Sequence, residues 1–360
     1  MLRAPEEHAM EFGISSFGDL RQSIDGSISL DPQTRLKNLI EEIELADQVG
    51  IDVVGLGEHH RPDFAISAPE AVLAFAAART EKIRLSSAVT VLSSADPVRV
   101  YQNFSTLDLL SNGRAEIWAG RGSFIESFPL FGQDLENYDA LYAEHLELLL
   151  NIRENVIVTS EGRLRPSIDG RGVYPRALQD VLPIWIAVGG SPQSAQRAGL
   201  LGLPMILAII GGNWRRFEYF TRLYRESTVA AGHDRASTPL AINSLGFIAD
   251  KSQDAIEAYF PAYLNSMSTI ARERGWGKLD RSTYDPTVTF EGAFYVGSPQ
   301  QITEKILAAH EVFGHDRFVL QIGTASIPHR DVLHAIELFG TEVIPAVNAA
   351  LKQPAAAIAL

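Results

Sequence analysis

The sequence predicts an α/β fold, a (β/α)8 TIM barrel with insertions after strands 4 and 7. Two observations point there. Eight short apolar runs alternate with longer amphipathic segments along the 360 residues, the rhythm of parallel strands and the helices that cover them. An acid-proline or serine-proline pair also opens the segment after several of these runs, at Asp31-Pro32, Asp96-Pro97, Ser191-Pro192 and Ser298-Pro299. This is how a βα loop hands the chain to its helix.

The runs begin at Met10, Ile51, Lys82, Arg114, Leu182, Leu203, Leu240 and Arg317. Each is too short for a buried helix, and several are rich in Val and Ile, so they read as strands. The clearest helix covers about residues 33–49. Asp31 is its N-cap, Pro32 its first position and Gly50 its stop, and Leu36, Leu39, Ile40, Ile43 and Ala46 form one face. Two connections are overlong, from about Gly120 to Val181 and from Ala249 to Arg317. The first holds a helix near 138–152 and then a Gly/Pro/Arg-rich excursion read as a hairpin or loop. The second holds a helix near 253–272 and then the mixed stretch 275–297, either a mobile lid or a packed insertion. Residues 10–350 are expected to form one domain, with 1–9 as an extension and 351–360 as an Ala-rich tail.

Composition removes several classes of function. With 46% hydrophobic residues the chain has ample material for a core. Lys and Arg number 31 against 44 Asp and Glu, a net charge of -13 that repels phosphate backbones and argues against a nucleic-acid partner. The absence of cysteine excludes disulfides, thiolate metal sites and cysteine nucleophiles. The opening MLRAPEEHAM lacks the apolar run of a signal peptide, and no stretch is apolar for long enough to span a membrane, so a cytoplasmic protein without membrane attachment is expected.

In such a barrel chemistry belongs to the C-terminal ends of the strands. The second run ends in GEHHRPD, placing Glu58, His59 and His60 side by side. Neighbours on an extended strand point to opposite faces, so no metal is predicted there. One histidine as a general acid or base competes with two histidines held by structural hydrogen bonds. The fourth run ends in GRGSF, with Arg121 between glycines, and the eighth at Gln321. The fifth ends in VGGSPQS, where Gly189-Gly190 turns the backbone and Ser191-Pro192 starts a helix whose free N–H groups attract an anion. That segment is either a phosphate site or only a good strand-to-helix turn. Arg121 could add a cation there or pair with a carboxylate. Phe17, Trp118 and Phe124 either line a pocket or pack the core. No G-x-S-x-G elbow, P-loop or G-x-G-x-x-G turn is present.

With GEHHRPD, SSAVTVLSSADPVR, GRGSF, FGQD, VGGSPQSAQRAGLLGLPMIL and FGTEVIPA in order along most of its length, the chain resembles the bacterial luciferase-like flavin monooxygenase family. Met10-Glu11-Phe12-Gly13 resembles the usual family start. The resemblance implies a TIM barrel that binds reduced FMN, supplied by a separate flavin reductase, and oxygenates a small organic substrate through a flavin peroxide. It implies that Gly189, Gly190, Ser191 and Ser194 cradle the phosphate, that Arg121 adds a cation, and that Ala88, Val89 and Thr90 meet the ring, with a cis peptide at Ala88-Val89. It also implies that His59 is catalytic, oriented by His60 or Glu58, that 275–297 closes over the site, and that the chain is a homodimer. One departure stands out: Asp139 occupies the place of the family's second phosphate-binding arginine, so that either this part of the site differs or Asp139 points away, and either phosphate affinity is weaker or another base such as Arg171 or Arg176 substitutes. Deazaflavin-dependent hydride transfer, flavin binding without catalysis and a metal-dependent barrel hydrolase are the competing readings.

Overall fold

The computed structural model describes residues 10–20, 30–122, 124–273, 275, 277–322 and 326–352. The expected extension 1–9 and nearly all of the expected tail 351–360 lie outside them.

All eight apolar runs are strands: β1 (Glu11–Ser16), β2 (Val53–Leu56), β3 (Arg84–Ser87), β4 (Ala115–Gly120), β5 (Ile184–Val188), β6 (Met205–Ile209), β7 (Leu240–Ile248) and β8 (Arg317–Gln321). Each pairs in parallel with the next, and β8 returns to β1 with Glu11 opposite Arg317, so the barrel is closed. Closure leaves no edge and gives every strand two faces to bury. The inward face packs Val53, Trp118, Trp185, Ile206, Ala241 and Val319 into a small cluster of its own, and the outward face packs against the helices.

The helices follow from local signals. In α1 (Pro32–Gln48) the Asp31 carboxylate accepts from Thr34 N at 3.0 Å. Its buried face carries Leu39, Ile43 and Ala46 as the periodicity predicts, and also Arg35 and Glu42, which neutralise each other at 2.8 Å. After α2 (Pro69–Ala77), α3 (Pro97–Leu110) is capped by Asp96, which accepts from Val98 N and Arg99 N. The first long connection resolves into α4 (Tyr138–Glu154) and an antiparallel hairpin of 157–160 with 168–172. Next come α5 (Pro192–Leu200) and α6 (Glu218–Ala230). The second long connection gives α7 (Ser252–Glu273), a short strand Tyr295–Gly297 that extends the sheet beside β7, and α8 (Pro299–Phe313).

The described residues of 275–297 are packed beside the barrel and do not cover its cavity. Among them Tyr284, Phe294 and Tyr295 are buried, Trp214 donates to the Phe290 carbonyl, and the Lys305 ammonium gathers the carbonyls of Thr289, Gly292 and Phe294 at 2.6–3.0 Å. The described residues of this stretch contribute nothing to the cavity at the strand ends. No helix among the described residues is long and apolar enough to cross a membrane.

Candidate active site

At the N-terminal mouth the barrel is plugged by charge. Arg317 forks onto Glu116 at 2.6 and 3.2 Å, Arg84 reaches the same carboxylate at 3.0 Å, and Trp118 Nε1 donates to it at 2.7 Å. Burial pushes the Glu116 carboxyl up, but Arg317 and Arg84 outweigh it and hold it below the usual carboxylate range.

The opposite mouth opens into a cavity of about 540 Å³. One wall comes from the β2 loop. The His59 ring lies 4.6 Å from Phe17, 4.3 Å from Phe64 and 4.9 Å from Phe124, and its buried Nε2 has no hydrogen-bond partner among the described residues. Burial, reinforced by the charges of Arg61 and His60, pushes its pKa down to about 3, so the imidazole is neutral at physiological pH. His60 and Glu58 also face the cavity but do not orient His59. They bind each other at 2.9 Å, and the second Glu58 oxygen accepts from Val91 N. What holds His59 is its cage of phenyl rings and its own backbone N–H, bonded to the Ile66 carbonyl. No group of three or more potential metal ligands occurs among the described residues.

The floor lies above Trp118. The Ala88–Val89 peptide is cis and both residues border the cavity. Val89 leans over β4 so closely that a Cβ on Gly120 would stand 2.5 Å from its Cγ2, which is why glycine ends that strand. Thr90, expected at the ring, is not among the lining residues: it is buried and its hydroxyl donates to Ser87 Oγ at 2.8 Å.

The third wall is polar. Gly190 has φ +109°, a conformation that favours glycine, and a Cβ there would meet only Phe220 at 4.0 Å. Gly189, Gly190, Ser191 and Ser194 line the cavity, and Ser191 makes no side-chain cap to α5, leaving the first turn's N–H dipole open to an anion. Arg121 faces the same space, over the Tyr138 ring at 5.3 Å and paired with Asp139 at 2.5 Å. Neither basic substitute for the missing arginine is available. Arg176 caps the end of α4 through the carbonyls of Ile152, Arg153 and Asn155, and Arg171 sits exposed on the hairpin.

Sequence reading missed three groups here. Asp19, on the loop after β1, lines the cavity with its pKa raised to about 7 by burial, against the pull of Arg35. Phe64 completes the cage, and Tyr138 carries the Arg121 guanidinium. None belongs to a motif, and only their position after a strand or on the first turn of a helix could have marked them.

The site is thus a concave small-molecule cavity at the C-terminal ends of barrel strands, with an anion cradle on one side and an apolar chamber around a neutral histidine on the other. The sequence model of the luciferase-like monooxygenases matches residues 10–335, and the chain belongs to that family. It is 24% identical over 328 residues to an uncharacterized protein of Sinorhizobium fredii, y4vJ, covering 88% of this chain and 93% of that one. It is 28% identical to the alkanal monooxygenase alpha chain of Photorhabdus laumondii, over 64% of this chain and 66% of that protein. Among solved structures, the monooxygenase RslO1 of Streptomyces bottropensis superposes with a TM-score of 0.80 at 22% identity, over 93% of this chain and 99% of that one. The oxygenating constituent of 3,6-diketocamphane monooxygenase from Pseudomonas putida, in complex with FMN, gives 0.74 at 21% identity over 94% and 98%. An F420-dependent secondary alcohol dehydrogenase shares the fold, with TM-score 0.73 at 19% identity over 94% and 99%.

Proposed function

We propose that this chain is a flavin-dependent monooxygenase that takes reduced FMN from a separate flavin reductase and uses dioxygen to oxygenate a small, largely apolar organic molecule. One observation carries the reading: the glycine-serine cradle with Arg121 and the aromatic chamber around His59 belong to one cavity. The residues fit the cofactor. Gly189, Gly190, Ser191, Ser194 and Arg121 would hold its phosphate, and Ala88 and Val89 would meet its ring. Bound reduced FMN supplies two electrons to dioxygen, so that one oxygen atom enters the substrate and the other leaves as water.

The protein's own part is exclusion and proton placement. Phe17, Phe64 and Phe124 keep water from His59, whose free Nε2 offers a neutral imidazole to a reacting oxygen or a substrate carbonyl. Glu58 and His60 fix the segment after the cis peptide through Val91 N. The barrel from residue 10 to about 350 acts as one unit, and exposed Phe75, Leu109 and Leu110 on the neighbouring helices α2 and α3 offer an apolar patch for a second copy.

The test is an anaerobic titration with reduced FMN followed by rapid mixing with oxygenated buffer while absorbance is recorded. Saturable binding and reoxidation in two resolved phases, the second quickened by a substrate, are expected. Reoxidation in one phase at the rate of free flavin would overturn the oxygenase assignment. A second reading, deazaflavin-dependent hydride transfer in the same cavity, rests on the likeness to F420-dependent proteins, and the same titration with a deazaflavin distinguishes it.

A further inference from the structure

On the reading that a flavin phosphate sits at the Arg121 wall, we infer that Asp139 is an affinity-limiting residue that competes with the phosphate for Arg121 and keeps the cofactor exchangeable. Arg121 turns one nitrogen, Nη1, to the Asp139 carboxylate at 2.5 Å and borders the cavity beside Gly122, Tyr138 and Ser191. An anion seated on that guanidinium must displace Asp139 or share the fork with it, and either arrangement brings two negative groups together. Among the described residues no other hydrogen bond or ion pair holds Asp139 there: its side chain is 75% exposed, against 27% for Arg121.

Two effects oppose each other in a variant lacking this carboxylate. Losing the ion pair could leave Arg121 less well oriented, which would weaken phosphate binding. Losing the negative charge removes a repulsion and frees the guanidinium, which would strengthen it. The geometry decides for the second. The guanidinium keeps its platform on the Tyr138 ring, and Tyr138 is itself anchored by its hydroxyl donating to the Gly122 carbonyl at 2.7 Å. An exposed ion pair orients little, while a carboxylate a few ångströms from a phosphate of nearly two charges weakens binding by about tenfold even at a watery dielectric. The consequence is a site that captures the cofactor through its ring and backbone contacts and lets it leave readily, as suits a cofactor that arrives and departs as a diffusing co-substrate.

The experiment compares FMN with riboflavin, which has the same ring and no phosphate, by anaerobic calorimetric titration of their reduced forms into the wild type, Asp139→Asn and Asp139→Arg. Asp139→Asn should bind FMN about tenfold tighter, with slower dissociation, Asp139→Arg tighter still, and riboflavin affinity should stay within about twofold throughout. An FMN affinity that is unchanged or weaker in Asp139→Asn overturns the inference and makes Asp139 an orienting partner of Arg121. A gain shared equally by riboflavin also overturns it. Wild-type protein that binds neither flavin sinks the flavin reading itself, and the inference with it.

Discussion

The two mouths of the barrel treat buried polar groups in opposite ways. At the N-terminal mouth both oxygens of Glu116 are taken, one by Arg317 and Trp118, the other by Arg317 and Arg84. At the C-terminal mouth His59 holds a buried nitrogen with no partner among the described residues, Asp19 keeps its proton near neutrality, and Arg121 leans on an exposed carboxylate. The first arrangement spends charge on a fixed plug, and the second leaves hydrogen-bonding capacity for something that is not protein. A polar atom without a partner is costly to bury, so one that lines a cavity, as the His59 nitrogen does, marks where a ligand can complete the structure.

The strongest way to break this contrast is at the plug. Glu116→Gln leaves Arg317, 3% exposed, with only Glu11 as an anionic partner, and should destabilise the fold by about 3–5 kcal/mol in denaturant titration. A loss below about 1 kcal/mol would show that the plug is no more structural than the cavity wall. At the other mouth the expectation reverses. His59→Leu keeps the phenyl cage filled and removes the unpartnered nitrogen, so stability should hold or rise, while substrate oxygenation falls roughly 10²–10⁴-fold. Oxygenation at the wild-type rate would remove His59 from the mechanism.

His315 sharpens the comparison because it is a buried histidine near the plug. Among the described residues both its ring nitrogens lack partners, and burial takes its pKa to about 3, as it does for His59. Such a group is neutral in the fold and protonated in the unfolded chain below about 6.5, so the unfolded state gains the proton and stability falls as pH drops from 6.5 towards 3. The limit is about 1.4 kcal/mol per pH unit for each residue. Asp19 acts in the other sense, since its raised pKa favours the fold as pH falls from about 7, so only a difference between variants isolates one histidine. Between pH 6 and 4, His315→Leu should lose stability less steeply than the wild type by roughly 1 kcal/mol per pH unit. Parallel profiles would mean that His315 takes up its proton within the fold. Because His315 lies outside the cavity lining, the same variant should bind FMN as the wild type does.

What the sequence disclosed follows this division. Every one of the eight barrel strands was legible because parallel strands buried on both faces are continuous apolar runs, and Asp31 and Asp96 announced their helices through chemistry that acts within four residues. The cavity walls around Glu58, His59, Arg121 and Gly190 were legible because each stands at the end of such a run. Contacts across the fold were not. Nothing local says that Glu58 turns to Val91 and His60 rather than to His59, that Thr90 turns to Ser87, or that Lys305 ties 289–294 down through three carbonyls. Those depend on partners tens of residues away or on which face a short segment presents.

The smallest expected effect tests the contrast within one motif. Asp96 and Ser191 stand in the same place before a proline, yet Asp96 accepts from two backbone N–H groups of its helix while Ser191 Oγ bonds Gln193 Oε1 and caps nothing. Asp96→Ala should therefore cost about 1 kcal/mol of stability without touching the cavity. Ser191→Ala should cost under about 0.5 kcal/mol and yet weaken FMN several-fold while sparing riboflavin. Ser298 supplies the control, since it also precedes a proline and makes no side-chain cap, but lies outside the cavity lining. If Ser298→Ala and Ser191→Ala leave FMN binding equally unchanged, an open helix start is only a tolerated flaw in this barrel. If Ser191→Ala alone weakens FMN, the missing cap is the binding feature, and the two mouths differ by design of their polar groups down to a single hydroxyl.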